Sequence, residues 1–316
     1  MSKDLSQIEQ QIESLLKKRQ QILGKEFPKI SLQELDKLLG KGSSPNNRIG
    51  FLGPNASFTH EAALEYFGKS NEYFAISSIK SVFESFHSKK IRYGIVPIEN
   101  NQQGNVHETI FCLAEYDCFI TGEVALPIHF MLASHSKDLD QIEIIYSKDI
   151  AFRQCSKFIK ASFPGKSIKL EPVESTSKAV ILAKDDDTSA AICSSIATEL
   201  YNLPILFENV EDATDNFTRF LIISPERNTQ AQEESKSTIL AKIKDGPGDL
   251  VKFLNDFYEA GINLKKIESL PARKGKNFKY WFFIDFEGNE SDENIQEILE
   301  KHKSDLKFLG SYEKKC

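Results

Sequence analysis

The sequence predicts an α/β protein in which a short helical N-terminal extension precedes two α/β regions. Between residues 48 and 226, short apolar strand patterns alternate with helical patterns, which is typical of α/β folds. Between residues 237 and 312, the predicted order is strand, helix, strand, strand, helix, strand. The length of 316 residues agrees with about two domains of roughly 150 residues each.

The N-terminal extension, residues 1–47, is predicted to be helical. Its first helix covers residues 5–23 and carries a narrow seam with alternating spacings of three and four residues, as in helices that pack on a partner helix. The seam positions are Leu5, Ile8, Ile12, Leu15, Arg19 and Ile22. A second, shorter helix follows the N-cap candidate Ser31, and residues 40–47 form a linker by composition.

The second region, residues 48–226, begins with a buried strand, a glycine-proline loop and a helix at Phe58–Phe67. The predicted strands are Ile49–Leu52, Tyr73–Ile76, Gly94–Ile98, Phe119–Ala133, Glu143–Tyr146, Ile168–Val173 and Ser189–Cys193. The segment Val124–Ala133 contains Pro127 and is predicted to cross between two lobes. Since a cleft between α/β lobes is where ligands usually bind, we expect the site there.

The third region, residues 237–312, follows a polar linker at Pro225–Ser237. Its first helix carries an apolar face and is stopped by Gly261. Its predicted strands are Ile239–Ile243, Leu264–Ser269, Tyr280–Phe286 and Leu306–Leu309. This order predicts a compact βαββαβ domain.

Composition argues against several functional classes. The net charge of -6 provides no basic stripe for nucleic acid. No apolar run approaches the roughly 20 residues of a membrane span, and the N-terminus lacks the apolar core of a signal peptide. The 5 cysteines are scattered without a CxxC pair, which argues against a disulfide framework and a metal site. We therefore expect a soluble cytoplasmic protein without a bound metal.

The segment Asp215–Phe220 combines a hydroxyl, a cation and two aromatic rings and runs into an apolar strand. A strand that begins just after Thr218 would hold its hydroxyl on a rigid edge, as a reactive site requires. In the alternative interpretation, this segment is a loop in which Thr218 serves only as a capping residue and Arg219 is solvated. Both interpretations are open from this hexapeptide alone.

Three more polar groups follow predicted strands. Glu99 and Asn100 end the strand that begins at Gly94, either as site residues or as a surface acid and a turn former. Ser147, upstream of Gln154, and the pair at residues 175–176 each precede a helix. Such hydroxyls either cap the helix or mark a helix N-terminus that binds a carboxylate.

Taken together, these segments resemble the prephenate dehydratase family from residue 48 to about residue 224. The matching segments are, in chain order, Gly53–Thr59, Val96–Asn100, Ser147 with Gln154 and Cys155, and Thr218–Phe220. The resemblance implies two lobes hinged like a periplasmic binding protein, with the active site between them. It also implies that residues 237–312 form a ferredoxin-like regulatory domain of the ACT type.

The implied reaction converts prephenate to phenylpyruvate with loss of carbon dioxide and water, and it needs no cofactor because aromatisation drives it. We expect Thr218 to donate a hydrogen bond to the leaving oxygen. Glu99 is a candidate acid if burial raises its pKa, while Asn100 and Gln154 are neutral donors. The resemblance further implies that the substrate is held by Ser57, Ser147, Ser175, Thr176, Arg219 and Phe220, through a cation and helix N-termini for the carboxylates.

The C-terminal region resembles ACT domains that bind phenylalanine at two segments. The implied effector site consists of Gly248, Asp249, Leu250, Glu268 and Ser269. The second segment departs from the usual Glu-Ser-Arg-Pro at Leu270, and a domain that only dimerises is the alternative. We expect a homodimer or homotetramer, and a chain cut after Pro225 to lose phenylalanine sensitivity while keeping some catalysis.

Other departures and alternatives accompany the resemblance. The chain has Lys148-Asp149 where the family usually has His-Pro, Gln103 in place of an acid, and Asn101 where serine or threonine is frequent. An arogenate dehydratase and a catalytically silent amino-acid sensor are the alternative functions. The first helix resembles the opening helix of an AroQ-type chorismate mutase, but fewer than 50 residues precede the dehydratase region, so we expect no mutase activity.

Overall fold

The computed structural model describes residues 48–228, 234–244, 246–271 and 280–315. The helices predicted within residues 1–47 lie outside these ranges. The described residues from Arg48 onward belong to one compact unit. Within them, the strands form a six-stranded, a five-stranded and a four-stranded sheet.

The strands are, in chain order, β1 Arg48–Leu52, β2 Glu72–Ile76, β3 Tyr93–Asn100, β4 Gly104–Asn105, β5 Phe119–Pro127, β6 Met131–Ala133, β7 Ile144–Ser147, β8 Lys169–Pro172, β9 Ser189–Cys193, β10 Ile205–Phe207, β11 Phe217–Ser224, β12 Ser235–Lys242, β13 Leu264–Pro271, β14 Tyr280–Glu287 and β15 Leu306–Glu313. The α-helices of the same residues are α1 Phe58–Phe67, α2 Ile79–His87, α3 His107–Glu115, α4 Asp149–Gln154, α5 Ser156–Ser162, α6 Thr176–Ala183, α7 Ser195–Tyr201, α8 Asp249–Glu259 and α9 Glu293–Lys301.

The first lobe is built on the six-stranded sheet, which has the order β2–β1–β3–β11–β5 with β4 paired to β3. The first three strands are parallel, whereas β11 runs antiparallel to both β3 and β5. The second lobe is built on the five-stranded sheet, with the order β10–β6–β9–β7–β8. The chain crosses between the lobes after β5 and again before β11, so both lobes contain segments that are distant in sequence.

The C-terminal sheet has the order β13–β14–β12–β15 and is antiparallel throughout. Its strands and the helices α8 and α9 follow the βαββαβ order that the sequence predicts. One difference concerns the linker predicted at Pro225–Ser237. Strand β12 begins at Ser235, and Ser235, Lys236 and Ser237 are buried, because they pair with β14 and β15.

The strand prediction was incomplete in the middle of the chain. The segment Phe119–Ala133 is two strands in different sheets, separated at Ile128–Phe130. The short strands β4 and β10 are absent from the prediction, because two or three residues are too few to show a period. No helix of the described residues is long and apolar enough to cross a membrane.

The six-stranded sheet is covered on both faces. On one face, Ile95, Phe220 and Ile222 share a core with residues of the second lobe such as Ile145 and Ile192. The opposite face packs against the C-terminal sheet. The core between these two sheets contains Val96, Ile98, Leu221, Ile223, Leu240, Leu270, Phe283 and Leu309. Because successive strand residues point to opposite faces, each residue of β3 and β11 faces either the second lobe or the C-terminal sheet.

Candidate active site

Two polar side chains meet where β3 ends and β11 begins. Asn100 and Thr218 are register partners, and Nδ2 of Asn100 donates a hydrogen bond to Oγ1 of Thr218 at 2.9 Å. A hydroxyl has one proton and can accept elsewhere, so a threonine that accepts from Asn100 keeps its own proton available to donate. The structure thus brings together two of the predicted catalytic residues, Asn100 and Thr218.

The Asn100 amide is held in one orientation. Its Oδ1 accepts hydrogen bonds from the backbone N–H groups of Gln102 at 3.0 Å and Gln103 at 2.9 Å. Its Nδ2 lies 2.7 Å from Oδ1 of Asn216. The turn that presents these N–H groups ends at Gly104, whose φ of 83° is a left-handed conformation that favours glycine. The amide nitrogen is therefore fixed on the Thr218 side.

Two further asparagines support the pair and are missing from the predicted site. Asn216 is 3% exposed and lies two residues before Thr218, a spacing that places both on one face of an extended segment. That alternation is a sequence signal that could have identified it. Asn101 accepts a hydrogen bond from the Phe217 N–H at 2.9 Å and donates to the Asp215 carbonyl. Its amide thereby tethers the segment that precedes β11.

Arg219 occupies the opposite face of β11, and this corrects its predicted role as a substrate ligand. Its guanidinium is 5% exposed and is bonded to Glu99 at 2.9 Å, Glu123 at 2.7 Å and Asp285 at 2.6 Å. Its Nη2 also donates to the Tyr312 hydroxyl at 3.1 Å. A guanidinium committed to these partners on the C-terminal-sheet side is not placed to receive a carboxylate of the substrate.

Glu99 shares that face and is not a neutral acid, contrary to the expectation. Burial alone would raise its pKa, but hydrogen bonds and charges from Lys266 and Arg219 outweigh burial and hold the pKa below its ordinary value of 4.5. Lys266 belongs to β13, so this carboxylate bridges the first lobe and the C-terminal sheet. An ionised Glu99 near neutral pH has no proton to give.

Two more predicted substrate ligands are structural residues. Phe220 is 2% exposed and packs in the core between the lobes. Ser147 is fully buried, and its hydroxyl donates to the Ile192 carbonyl at 2.6 Å, because β7 and β9 are neighbouring strands. Both side chains stabilise the sheets, and neither presents a polar atom to a ligand.

The remaining predicted hydroxyls mark helix N-termini at the contact between the lobes. Ser57 caps α1 by accepting from the His60 N–H at 3.3 Å, and Ser175 caps α6 by accepting from the Lys178 N–H at 3.0 Å. Thr176, the first residue of α6, is 6% exposed.

Hydrogen bonds between the lobes bring these helix ends together. Ser177 of α6 donates to the Asn55 carbonyl at 2.6 Å, and Ser194, before α7, donates to the Ala56 carbonyl at 3.0 Å. The N-termini of α1, α6 and α7 therefore meet around residues 55–57. Aligned helix dipoles give such a place positive potential.

Gln154 forms a direct bridge between the lobes. Its Nε2 donates to Oε1 of Gln102 at 3.1 Å, and its backbone carbonyl accepts from the Asp212 N–H at 2.6 Å. The predicted donor thus lies beside the turn that orients Asn100. Gln102 has no periodicity or motif that could have identified it from the sequence.

The predicted effector residues lie on two elements of the C-terminal region. Gly248 precedes α8 with a φ of 85°, and Asp249 and Leu250 open the helix. Glu268 and Ser269 lie on the edge strand β13, and Oε1 of Glu268 is 3.1 Å from Nε2 of His107 at the start of α3. Leu270, the departure from the usual arginine, is buried between the C-terminal sheet and the first lobe.

A two-lobed α/β fold with a polar pair at the carboxyl end of β3 and the amino end of β11 defines an enzyme or binding protein of the cleft type. A family profile described as prephenate dehydratase matches residues 49–228. The chain therefore belongs to the prephenate dehydratase family.

Relatives and solved structures agree with this assignment. A bifunctional chorismate mutase/prephenate dehydratase of Aquifex aeolicus is 38% identical over 96% of this chain and 84% of the relative. A prephenate dehydratase of Methanocaldococcus jannaschii is 36% identical over 84% of this chain and 98% of its own length. The crystal structure of a prephenate dehydratase from Arthrobacter aurescens in complex with L-Phe has a TM-score of 0.76 at 28% identity, and covers 84% of this chain and 90% of that one.

Proposed function

We propose that this chain converts prephenate to phenylpyruvate, carbon dioxide and water. The observation that carries the proposal is the hydrogen-bonded pair Asn100–Thr218 at the edge of the first lobe. It lies within the residues that the family profile matches. The same name describes the M. jannaschii relative.

In this reaction, the bond to the departing carboxylate breaks, and its electron pair moves through the ring and expels the hydroxyl group, which leaves as water. Thr218 has a proton to donate toward that oxygen, because its own oxygen already accepts from Asn100. An alcohol donor of this kind stabilises charge that develops in the transition state. The neutral amides of Asn100 and Gln154 orient the substrate without competing for its proton.

The two carboxylates of prephenate require positive potential in a protein of net charge -6. With Arg219 committed to the opposite face, the helix N-termini around residues 55–57 are the better candidates. Ser57, Ser175 and Thr176 lie at two of these ends. Backbone N–H groups and helix dipoles suit anions at such places, and they release a departing carboxylate more readily than a buried ion pair would.

The purified full-length chain tests this function against its alternatives. Phenylpyruvate formed from prephenate supports it, and phenylalanine formed faster from arogenate would indicate an arogenate dehydratase. Binding of either compound without turnover would indicate the silent sensor. Turnover assays with the two substrates at matched concentrations distinguish the two dehydratases, and calorimetry with each compound detects binding without turnover.

We also propose that the C-terminal region is an ACT-type domain through which phenylalanine inhibits the enzyme. Its strand order and the L-Phe complex of the A. aurescens protein support this. We place phenylalanine at Gly248, Asp249, Leu250, Glu268 and Ser269, at an interface between two copies in a homodimer or homotetramer. Calorimetry should detect phenylalanine binding that Ser269→Arg weakens and that Ser304→Arg, an exposed control in the turn before β15, leaves unchanged. No binding at millimolar phenylalanine would leave only an assembly domain.

For residues 1–47 we propose a packing role without chorismate mutase activity, in a chain that works in the cytoplasm. The A. aeolicus match covers 96% of this chain and so reaches into these residues. A mutase module needs about three long helices, more than the predicted helices supply. Conversion of chorismate by the purified chain would contradict this. Deletion of residues 1–40 should leave dehydratase turnover within twofold of the intact chain.

A further inference from the structure

A buried cluster of charges joins the first lobe to the C-terminal sheet. Within the described residues, its carboxylates and cations are Glu99, Glu123, Asp285, Arg219, Lys236 and Lys266. Glu99, Glu123 and Arg219 come from the first lobe, and the other members come from the C-terminal sheet. We call this set the inter-sheet cluster.

Arg219 is the centre of the inter-sheet cluster. It contacts Glu99 and Glu123 on its own sheet and Asp285 and the Tyr312 hydroxyl on the C-terminal sheet. Burial alone would lower the pKa of the guanidinium, but Asp285 and its other neighbours raise the pKa well above its ordinary value. The guanidinium is therefore a permanent charge whose position depends on both sheets.

Lys266 provides a second link across the same boundary. Its ammonium, on a side chain that is 15% exposed, contacts the Glu99 carboxylate and the Asn105 side chain. Lys266 lies two and three residues before Glu268 and Ser269 on β13, the strand of the proposed effector segment. A shift of this edge strand moves the ammonium against Glu99.

The inter-sheet cluster is linked directly to the Asn100–Thr218 pair, because two of its members are sequence neighbours of that pair. Glu99 precedes Asn100, and Arg219 follows Thr218. Across β3 and β11, Glu99 is the register partner of Arg219, and Asn100 is the register partner of Thr218. Strand alternation sends one pair to each face. The register between the two strands shifts just after Arg219, and such a bulge bends and twists a strand locally. Side-chain bonds on the cluster face therefore help to set where Asn100 and Thr218 lie.

We propose that Lys266, Glu99 and Arg219 are positioning residues that transmit the position of the C-terminal sheet to the Asn100–Thr218 pair. The proposal rests on the dehydratase function and phenylalanine inhibition proposed above. When phenylalanine binds, it displaces β13, and the Lys266 ammonium moves the Glu99 carboxylate with it. The length or direction of the Asn100–Thr218 hydrogen bond then changes. The effector then acts on turnover without contacting the substrate.

Lys266→Met tests this route, because methionine keeps most of the side-chain length and removes the charge. Lys265→Met is the matched control: Lys265 is the neighbouring residue of β13, but its ammonium pairs with Glu287 at 2.9 Å within the C-terminal sheet. Lys266→Arg restores a cation at the tested position. Thermal unfolding of each chain confirms that all are compared in the folded state.

The measurements are kcat and KM for prephenate, with and without saturating phenylalanine, and the phenylalanine Kd by calorimetry. We expect wild type and Lys265→Met to lose tenfold or more of kcat at saturation. Lys266→Met should lose less than threefold, although its phenylalanine Kd stays within threefold of wild type, and Lys266→Arg should recover most of the inhibition.

Equal fractional inhibition of wild type and Lys266→Met would overturn the proposed route and leave the enzyme's function and regulation standing. A wild type that turns over prephenate but ignores phenylalanine would overturn both the regulation and the route. A wild type without turnover would overturn the dehydratase function itself. A Lys266→Met chain that no longer binds phenylalanine would also count against transmission, because the lysine would then belong to the effector site.

Discussion

The two faces of the β3–β11 strand pair differ in the charge of the side chains that meet there. On the lobe side, neutral groups meet, with Asn100 bonded to Thr218 at 2.9 Å. On the C-terminal-sheet side, full charges meet, with Arg219 bonded to Glu99, also at 2.9 Å. Adjacent residues of one motif thus lie in two different chemical environments. A short motif in a strand carries two functions because alternate residues enter two environments.

The difference also explains where charge is tolerated. Charged groups buried between sheets need partners, since an isolated ion is costly to remove from water. The Arg219 face supplies those partners from both sheets. The Thr218 face instead brings together neutral amides and a hydroxyl, which can donate hydrogen bonds to a dianionic substrate.

The largest expected loss of kcat comes from removing the Thr218 hydroxyl on the face toward the second lobe. Thr218→Ala should lower kcat by about a hundredfold or more, the typical loss for one preorganised donor, because the hydroxyl proton available to the leaving oxygen disappears. Steady-state kinetics with prephenate measure this. Thr218→Ser keeps the hydroxyl and should stay within about tenfold of wild type. Activity of Thr218→Ala close to wild type would remove the threonine from the mechanism.

A smaller effect is expected from the charged face at Glu99. Glu99→Gln should lower kcat about tenfold, which corresponds to about 1.4 kcal/mol, because the ionised carboxylate orients Asn100 rather than giving a proton. Glu72→Gln, whose carboxylate is in an exposed pair with Arg48 at 3.6 Å, is the control. A loss in Glu99→Gln as large as that in Thr218→Ala would restore Glu99 as the proton donor.

These two substitutions bear on what the sequence could predict. Periodicity and turn residues located most strands and helices, and motif order brought Asn100 and Thr218 to the site. The alternation of side chains along a strand also shows that Thr218 and Arg219 point to opposite faces of the sheet. It does not show which sheet covers which face, and that choice decides the roles of Glu99, Arg219 and Phe220.

Long-range contacts explain the other differences. Ser147 is buried because β9 lies beside β7 and offers the Ile192 carbonyl, a pairing of residues 45 positions apart. The expectation that a chain cut after Pro225 keeps some catalysis took no account of the core that the C-terminal sheet shares with the first lobe, which includes Leu270. A chain cut after Pro225 would expose that core, so the truncation expected from the sequence to spare catalysis should also lose stability.

The carboxylates on the Arg219 face should also make the stability of the protein depend on pH in the acidic range. The pKa values of Glu99 and Glu123 are both held below the ordinary 4.5, in each case because nearby cations outweigh burial. Groups with depressed folded pKa values contribute stability above the unfolded pKa and lose it as pH falls through the folded pKa. The free energy of unfolding should therefore fall as the pH drops below about 4.5, as measured by urea denaturation. Glu99→Gln should flatten this fall, whereas Glu72→Gln should not.

The smallest effect is expected where the lobe face is open to solvent, at the bridge between Gln102 and Gln154. The bond is 3.1 Å long between an exposed and a half-buried side chain, and a neutral hydrogen bond contributes only about 0.5–1.5 kcal/mol net. Gln102→Ala should therefore change KM for prephenate by less than about tenfold, with kcat nearly unchanged, because the bridge joins the lobes and does not touch the reacting bond. Gln154→Ala is the informative companion, since it removes the same bridge together with the donor proposed to orient the substrate. If the two variants behave alike, Gln154 serves only to hold the lobes together. A kcat loss seen only in Gln154→Ala would show that the Gln154 amide contacts the substrate. Both lobes would then supply neutral hydrogen-bond donors to the site.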